Sequence, residues 1–93
     1  MDETTQACYQ FRVRGAVQGV YYRAATREKA NALGLRGWVE NRGDGSVSVV
    51  VCGPETAVET LSDWLWTGPP AARVDSVESE GVADPGSEGF AIV

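Results

Sequence analysis

Residues 7–14, Ala-Cys-Tyr-Gln-Phe-Arg-Val-Arg, alternate strictly, with Tyr9, Phe11 and Val13 on one side and Cys8, Gln10, Arg12 and Arg14 on the other. A two-residue period marks a strand with one buried face. Residues 46–52, Ser-Val-Ser-Val-Val-Val-Cys, carry the same period. As antiparallel neighbours the two segments fit in one register: Tyr9 opposite Val51, Phe11 opposite Val49 and Val13 opposite Val47 on the apolar face. The other face then receives Arg12 with Ser48, Gln10 with Val50 and Cys8 with Cys52. A slip of one residue would turn every apolar side chain to the wrong face, so the register is strongly fixed.

The rest of the chain fills in around this pair. Tyr22, Ala25, Thr26, Ala30 and Leu33 form a helical stripe over about 22–33, and Gly34 stands where a helix end takes a left-handed residue. Arg36 to Asn41 reads as a strand, and Arg42-Gly43-Asp44-Gly45 as a tight turn into the third strand. Gly53-Pro54 opens a second helix, with the proline expected in its first turn. Ala57, Val58, Leu61, Trp64 and Leu65 supply its buried face, and Gly68-Pro69-Pro70 ends it. A weaker strand lies within 72–82 around Val74 and Val77, and residues 89–93 form a short closing strand. The order β-α-β-β-α-β plus a last strand is the ferredoxin-like split βαβ plan of the α+β class, with two helices on one face of an antiparallel sheet. The expected division is a flexible polar N-terminus over 1–6 and a single domain over 7–93. Trp38 and Trp64 read as packing residues, and Trp66 falls off the buried stripe.

Composition narrows the chemistry. The 93 residues contain no histidine and two cysteines, which removes His-based nucleophilic catalysis, His-bearing metal sites and any four-thiolate centre. Net charge is −5, yet seven of the eight basic residues lie in 1–42 and nine of the thirteen acids in 43–93. An acidic chain is a poor general partner for nucleic acid, whereas its basic half can hold one small anion. Tyr9 and Phe11 fall on the helix-covered face, which also opposes an RNA-binding sheet. No apolar run reaches the ~18 residues of a membrane span, and no basic, apolar leader opens the chain. The expectation is a cytoplasmic monomer without a membrane or nucleic-acid partner.

The anion has one natural place. Gly15 to Arg23 joins a strand to a helix, so the backbone N–H groups of Val17, Gln18, Gly19, Val20, Tyr21 and Tyr22 can converge beside the positive helix end. Arg23 adds a bidentate fork. The spacing is neither a Walker A loop nor a dinucleotide fingerprint, and an ordinary strand-to-helix turn also satisfies it. Asn41 ends a strand parallel to the first and so reaches the same sheet edge. It is either a turn former or an amide holding a water.

The segments Gly15-Ala16-Val17-Gln18-Gly19-Val20-Tyr21-Tyr22-Arg23 and Gly37-Trp38-Val39-Glu40-Asn41-Arg42-Gly43-Asp44-Gly45-Ser46-Val47 resemble the two signatures of the acylphosphatases. Ala32-Leu33-Gly34-Leu35 and Gly68-Pro69-Pro70-Ala71 extend the resemblance to almost all of about 7–93. It implies hydrolysis of a small-molecule acyl phosphate to a carboxylate and inorganic phosphate by direct attack of water, with no metal and no cofactor. Arg23 and the 17–22 loop would bind the phosphate, and Asn41 would orient the water. Three positions depart from the family's common pattern: Ser48 where Glu is frequent, Arg42 where a small polar residue is frequent, and Tyr22 in place of Phe. The Arg42 change bears on water ordering and substrate range, and the tyrosine at 22 is expected to be neutral. The rival reading is a non-catalytic anion-binding accessory domain of the same fold. Cys8 and Cys52, directly opposed in the register, lie within disulfide reach, and either a disulfide or two reduced thiols fits the pattern.

Overall fold

The computed structural model describes residues 5–93, so four of the six N-terminal residues expected to be flexible fall outside it. The elements are β1 (Gln6–Ala16), α1 (Tyr22–Ala32), β2 (Arg36–Asn41), β3 (Val47–Pro54), α2 (Glu55–Leu65), β4 (Arg73–Gly81) and β5 (Phe90–Ile92). Thr5 and Gln6 are held in place: Gln6 pairs with Pro54, and the Thr5 carbonyl accepts the Glu55 N–H at 2.8 Å.

One five-stranded sheet has the order β4-β1-β3-β2-β5. The β1–β3 register is the one its alternation dictates, from Cys8 opposite Cys52 to Val13 opposite Val47. Phe11, Val13, Val39, Val47, Val49 and Val51 are fully or almost fully buried beneath the helices, which contribute Tyr22, Thr26, Ala30, Val58, Leu61 and Leu65. The 3.6-residue stripes therefore meet the two-residue alternation in one apolar layer. Trp66 lies outside that layer and is exposed.

Four details differ from the sequence reading. β5 runs parallel to β2, pairing Phe90 with Gly37 and Ile92 with Val39, so the sheet is mixed at that edge. Pro54 ends β3 with ψ 135° and precedes the first helical residue, Glu55, instead of entering the first turn. Trp38 pairs with Val50, on the face turned away from the helices, and is half-buried there. Ala57 and Trp64 flank the α2 stripe and are only half-buried.

α1 ends in a Schellman motif. Gly34, at φ 72°, donates to the Asn31 carbonyl at 3.1 Å, and the Leu35 N–H reaches Ala30 at 2.9 Å. The β1–β4 register shifts between Arg14 and Gly15, which pair with Ser76 and Val74 and leave Asp75 of β4 as the extra, bulged residue. A side chain at Gly15 would run into the Arg73 carbonyl of β4, so close approach of the two backbones requires glycine there. On the open sheet face, Cys8 and Cys52 are joined by a disulfide with Cα atoms 4.1 Å apart.

Candidate active site

β1 and β2 run in the same direction and β3 runs against them, so the end of β1, the end of β2 and the start of β3 meet at one edge. β5, parallel to β2, brings Ile92 to that edge as well. There a cavity of about 340 Å3 is lined by Val17, Gly19, Tyr21, Tyr22, Arg23, Ala24, Asn41 and Ile92. The fold thus brings Arg23 and Asn41 together with Val17, Gly19, Tyr21 and Tyr22 of the 17–22 loop, whereas Gln18 and Val20 lie outside the lining and Val20 packs against the core. Ile92 and Ala24 complete the lining without any signal in the sequence pattern. Nothing in Phe90-Ala91-Ile92 announces parallel pairing with β2, and only that pairing carries Ile92 to the cavity.

The start of α1 is built to face a negative charge. Its N-cap, Tyr21, has φ 65° and ψ 19° and makes no side-chain cap, and no acid stands in the first turn. The first intrahelical bond runs from Ala25 N–H to the Tyr21 carbonyl at 3.0 Å. The N–H groups of Tyr22, Arg23 and Ala24 are therefore left over at the helix end, as at any α-helix start. A capping side chain or a first-turn carboxylate usually answers them. α2 carries Glu55 in that role, whereas α1 has none. Arg23 is partly buried in the same turn and has no carboxylate partner among the described residues. The cavity lining contains one cation and no acid.

Asn41 contributes from the opposite wall. As the last residue of β2 it pairs with Val47 and faces the helix side, two positions beyond buried Val39. Its Oδ1 is buried and has no hydrogen-bond partner among the described residues. Such an atom is a strong acceptor waiting for a donor.

The 17–22 stretch divides into different tasks. Gln18 turns its side chain away from the cavity, and its Nε2 donates to the carbonyls of Arg42 at 2.8 Å and Ser46 at 2.9 Å. Tyr22 sends its ring into the core, 1% exposed, and its hydroxyl donates to the Leu65 carbonyl at 2.6 Å. Burial pushes that phenol far above its ordinary pKa. Tyr22 therefore holds the first turn of α1 against the last turn of α2, a bond that phenylalanine could not make. Thr26, one turn on, is fully buried and donates to the Tyr22 carbonyl at 2.8 Å, so it takes no part in the cavity.

The turn after Asn41 is tightly organised. Asp44 Oδ1 accepts from the Ser46 N–H at 2.9 Å and the Ser46 hydroxyl at 2.6 Å. These bonds, with Arg14 nearby, hold its carboxyl down at a pKa of about 2. Arg12 also reaches Asp44, at 3.7 Å, while Ser48 accepts from Gln10 at 3.3 Å. Replacing a frequent glutamate with Ser48 thus leaves Arg12 with a carboxylate neighbour from the turn. Arg42 points away from the cavity and lies 3.7 Å from Glu40. Its carbonyl, accepting from Gln18, is what bears on the site.

The sequence model of the acylphosphatase family matches residues 9–92. The acylphosphatase of Azoarcus sp. (strain BH72) is 48% identical over 88 residues, covering 95% of this chain and 90% of that protein. Among solved structures, an acylphosphatase from Coxiella burnetii superposes with a TM-score of 0.93 at 37% identity over the full length of both chains. The acylphosphatase from Bacillus subtilis gives 0.91 at 32% identity, covering 96% of this chain and 99% of the other.

Proposed function

The chain belongs to the acylphosphatase family and hydrolyses the carboxyl–phosphate bond of acyl phosphates, and we propose that it does so at the cavity between the start of α1 and the end of β2. One observation carries the assignment of residues. Arg23, the uncapped N–H groups of α1 and Asn41, whose Oδ1 has no hydrogen-bond partner among the described residues, border one space whose lining contains no acid.

In this reading the Arg23 fork and the N–H groups of the 17–22 loop and first turn bind the phosphoryl oxygens. Asn41 Oδ1 accepts a hydrogen bond from a water and aims its lone pair at phosphorus. The water oxygen forms the new P–O bond as the bond to the acyl oxygen breaks, and the carboxylate leaves with that electron pair. A carboxylate is a good leaving group, so no strong general acid is required. A phosphoryl oxygen of the substrate takes the water's proton. Orientation and charge stabilisation supply the rate. The lining offers no carboxylate, imidazole or thiol, which supports a reaction without a metal held by protein side chains.

We further place residues 7–93 in a single domain that works as a monomer in the cytoplasm, acting on a small molecule. No helix among the described residues is long and apolar enough to cross a membrane. The Cys8–Cys52 bond joins a fully buried Cys52 to a partly exposed Cys8, so burial shields only the Cys52 side from attacking thiols.

The test is hydrolysis of benzoyl phosphate by the purified protein in chelator, beside Arg23→Ala and Asn41→Ala. The wild type is expected to turn over rapidly. Arg23→Ala should lose about 3–4 kcal/mol of transition-state stabilisation, a fall of roughly 10²–10³ in kcat/KM. Asn41→Ala should lose its activity mainly in kcat while remaining folded. Full activity in either folded variant would remove that residue from its role.

A further inference from the structure

Tyr21 has the most unusual placement of any side chain in the cavity. It is 84% exposed, the most exposed of the large apolar residues among those described, and it lines the same space as Arg23 and Asn41. It is also the only non-glycine residue with positive φ among the described residues, at 65°. A left-handed residue is needed there to bring the loop N–H groups and the helix start together. That backbone requirement alone selects glycine or asparagine. Glycine serves it two residues earlier, at Gly19 with φ 77°. A bulky aromatic is among the poorest choices for this conformation, and its ring gains no burial in return.

A use for the ring resolves the mismatch. The cavity is larger than a phosphoryl group alone requires, and the remainder of its lining is apolar: Val17, Ala24 and Ile92. Arg23, the N–H groups and Asn41 account for the phosphoryl oxygens and the water, but none of them addresses the other half of the substrate. Resting on the acyl-phosphate reading above, we propose that Tyr21 and Ile92 form an acyl subsite that favours aryl or other flat, apolar acyl groups over small ones. The rigid left-handed backbone holds the tyrosine ring at the cavity mouth, where a flat acyl group can stack on it while the carboxyl–phosphate bond stays at the Arg23 fork.

The experiment compares kcat/KM for benzoyl phosphate and acetyl phosphate in the wild type, Tyr21→Phe and Tyr21→Asn. Asparagine removes the ring and tolerates the left-handed backbone, so this variant is expected to fold at least as well as the wild type in thermal melting. The benzoyl-to-acetyl ratio should fall roughly three- to tenfold in Tyr21→Asn, mainly through KM for benzoyl phosphate, and stay at the wild-type value in Tyr21→Phe. An unchanged ratio in Tyr21→Asn would overturn the subsite while leaving the acyl-phosphate reading intact. An equal fall in Tyr21→Phe would also overturn it, by assigning the effect to the hydroxyl and not to the ring. A folded wild type that hydrolyses neither compound would overturn the activity itself and the subsite with it.

Discussion

The side-chain amide of Gln18 donates to the carbonyl oxygen of Arg42 at 2.8 Å, and the same nitrogen reaches the Ser46 carbonyl at 2.9 Å. These bonds tie the loop before Arg23 to both ends of the turn that follows Asn41. The two walls of the cavity otherwise belong to segments 24 residues apart in sequence. Gln18 thereby sets the spacing between the groups that hold the phosphoryl unit and the amide that orients water. Gln18→Glu keeps the size but presents a carboxylate to two carbonyl oxygens. Both Gln18→Glu and Gln18→Ala should lower kcat by about 10–100-fold, because small misplacements at a reacting centre are expensive. Inhibition by inorganic phosphate should change much less, since Arg23 and the N–H groups remain. Steady-state kinetics with phosphate as competitor separates the two effects, and a kcat within twofold of wild type would refute the positioning role.

Asp44 makes the turn pH-sensitive in a defined direction. Hydrogen bonds from Ser46, then the nearby Arg14, lower its pKa from 3.8 to about 2 in the folded protein. A carboxylate depressed in this way stabilises the fold fully above its unfolded value and loses that contribution as pH falls through the folded one. The relevant window is therefore about pH 4 down to 2. Asp44→Asn retains an acceptor for Ser46 but cannot titrate. Its melting midpoint should lie below that of the wild type at pH 5, and the gap should close as pH falls toward 2. Parallel midpoint curves for the two proteins across that range would exclude this linkage.

The frame of the site was legible because alternation leaves little freedom. Tyr9, Phe11 and Val13 permit one register with Val51, Val49 and Val47, and that register fixes which edge receives Asn41. Gly34 likewise announced the end of α1, and its φ of 72° completes the motif there. What escaped was decided by contacts remote in sequence. Trp38 is the exception: the alternation of β2 already sets it with Glu40 opposite Val39, and its size, not a remote contact, is what suggests the core. Whether β5 runs parallel or antiparallel depends on the long path back from β4, not on three apolar residues. The division of labour within 17–22 was also hidden, because the bonds of Gln18 to the turn and of Tyr22 to α2 follow from tertiary packing and not from spacing.

Tyr22 gives a stability prediction that follows from its buried hydroxyl. The Leu65 carbonyl lies at the end of α2, where the last carbonyls lack intrahelical partners, and the Tyr22 hydroxyl satisfies it at 2.6 Å. Tyr22→Phe conserves the ring beside Trp64, whose centroid lies 5.9 Å away, and removes only the donor. The expected loss is about 1–2 kcal/mol, the cost of leaving a buried acceptor unanswered. Chemical denaturation should show a lower midpoint with an unchanged m value. A midpoint equal to the wild type would mean that water replaces the hydroxyl at no cost.

The Cys8–Cys52 bond predicts a separation of stability from activity. It links residues 44 apart in the chain, so the chain-entropy account assigns it about 4 kcal/mol. Cys52 pairs with Arg36 at the start of β2, whereas Asn41 ends that strand, roughly 17 Å away at the usual rise per residue. The bond therefore braces the end of the sheet remote from the cavity. Replacing both cysteines with serine, or adding a phosphine reductant, should lower the melting midpoint by roughly 20 °C. Turnover measured well below that midpoint should be retained, because no group lining the cavity is disturbed. Equal midpoints with and without reductant, together with two reactive thiols in the untreated native protein, would show that the two sulfurs are not bonded in solution.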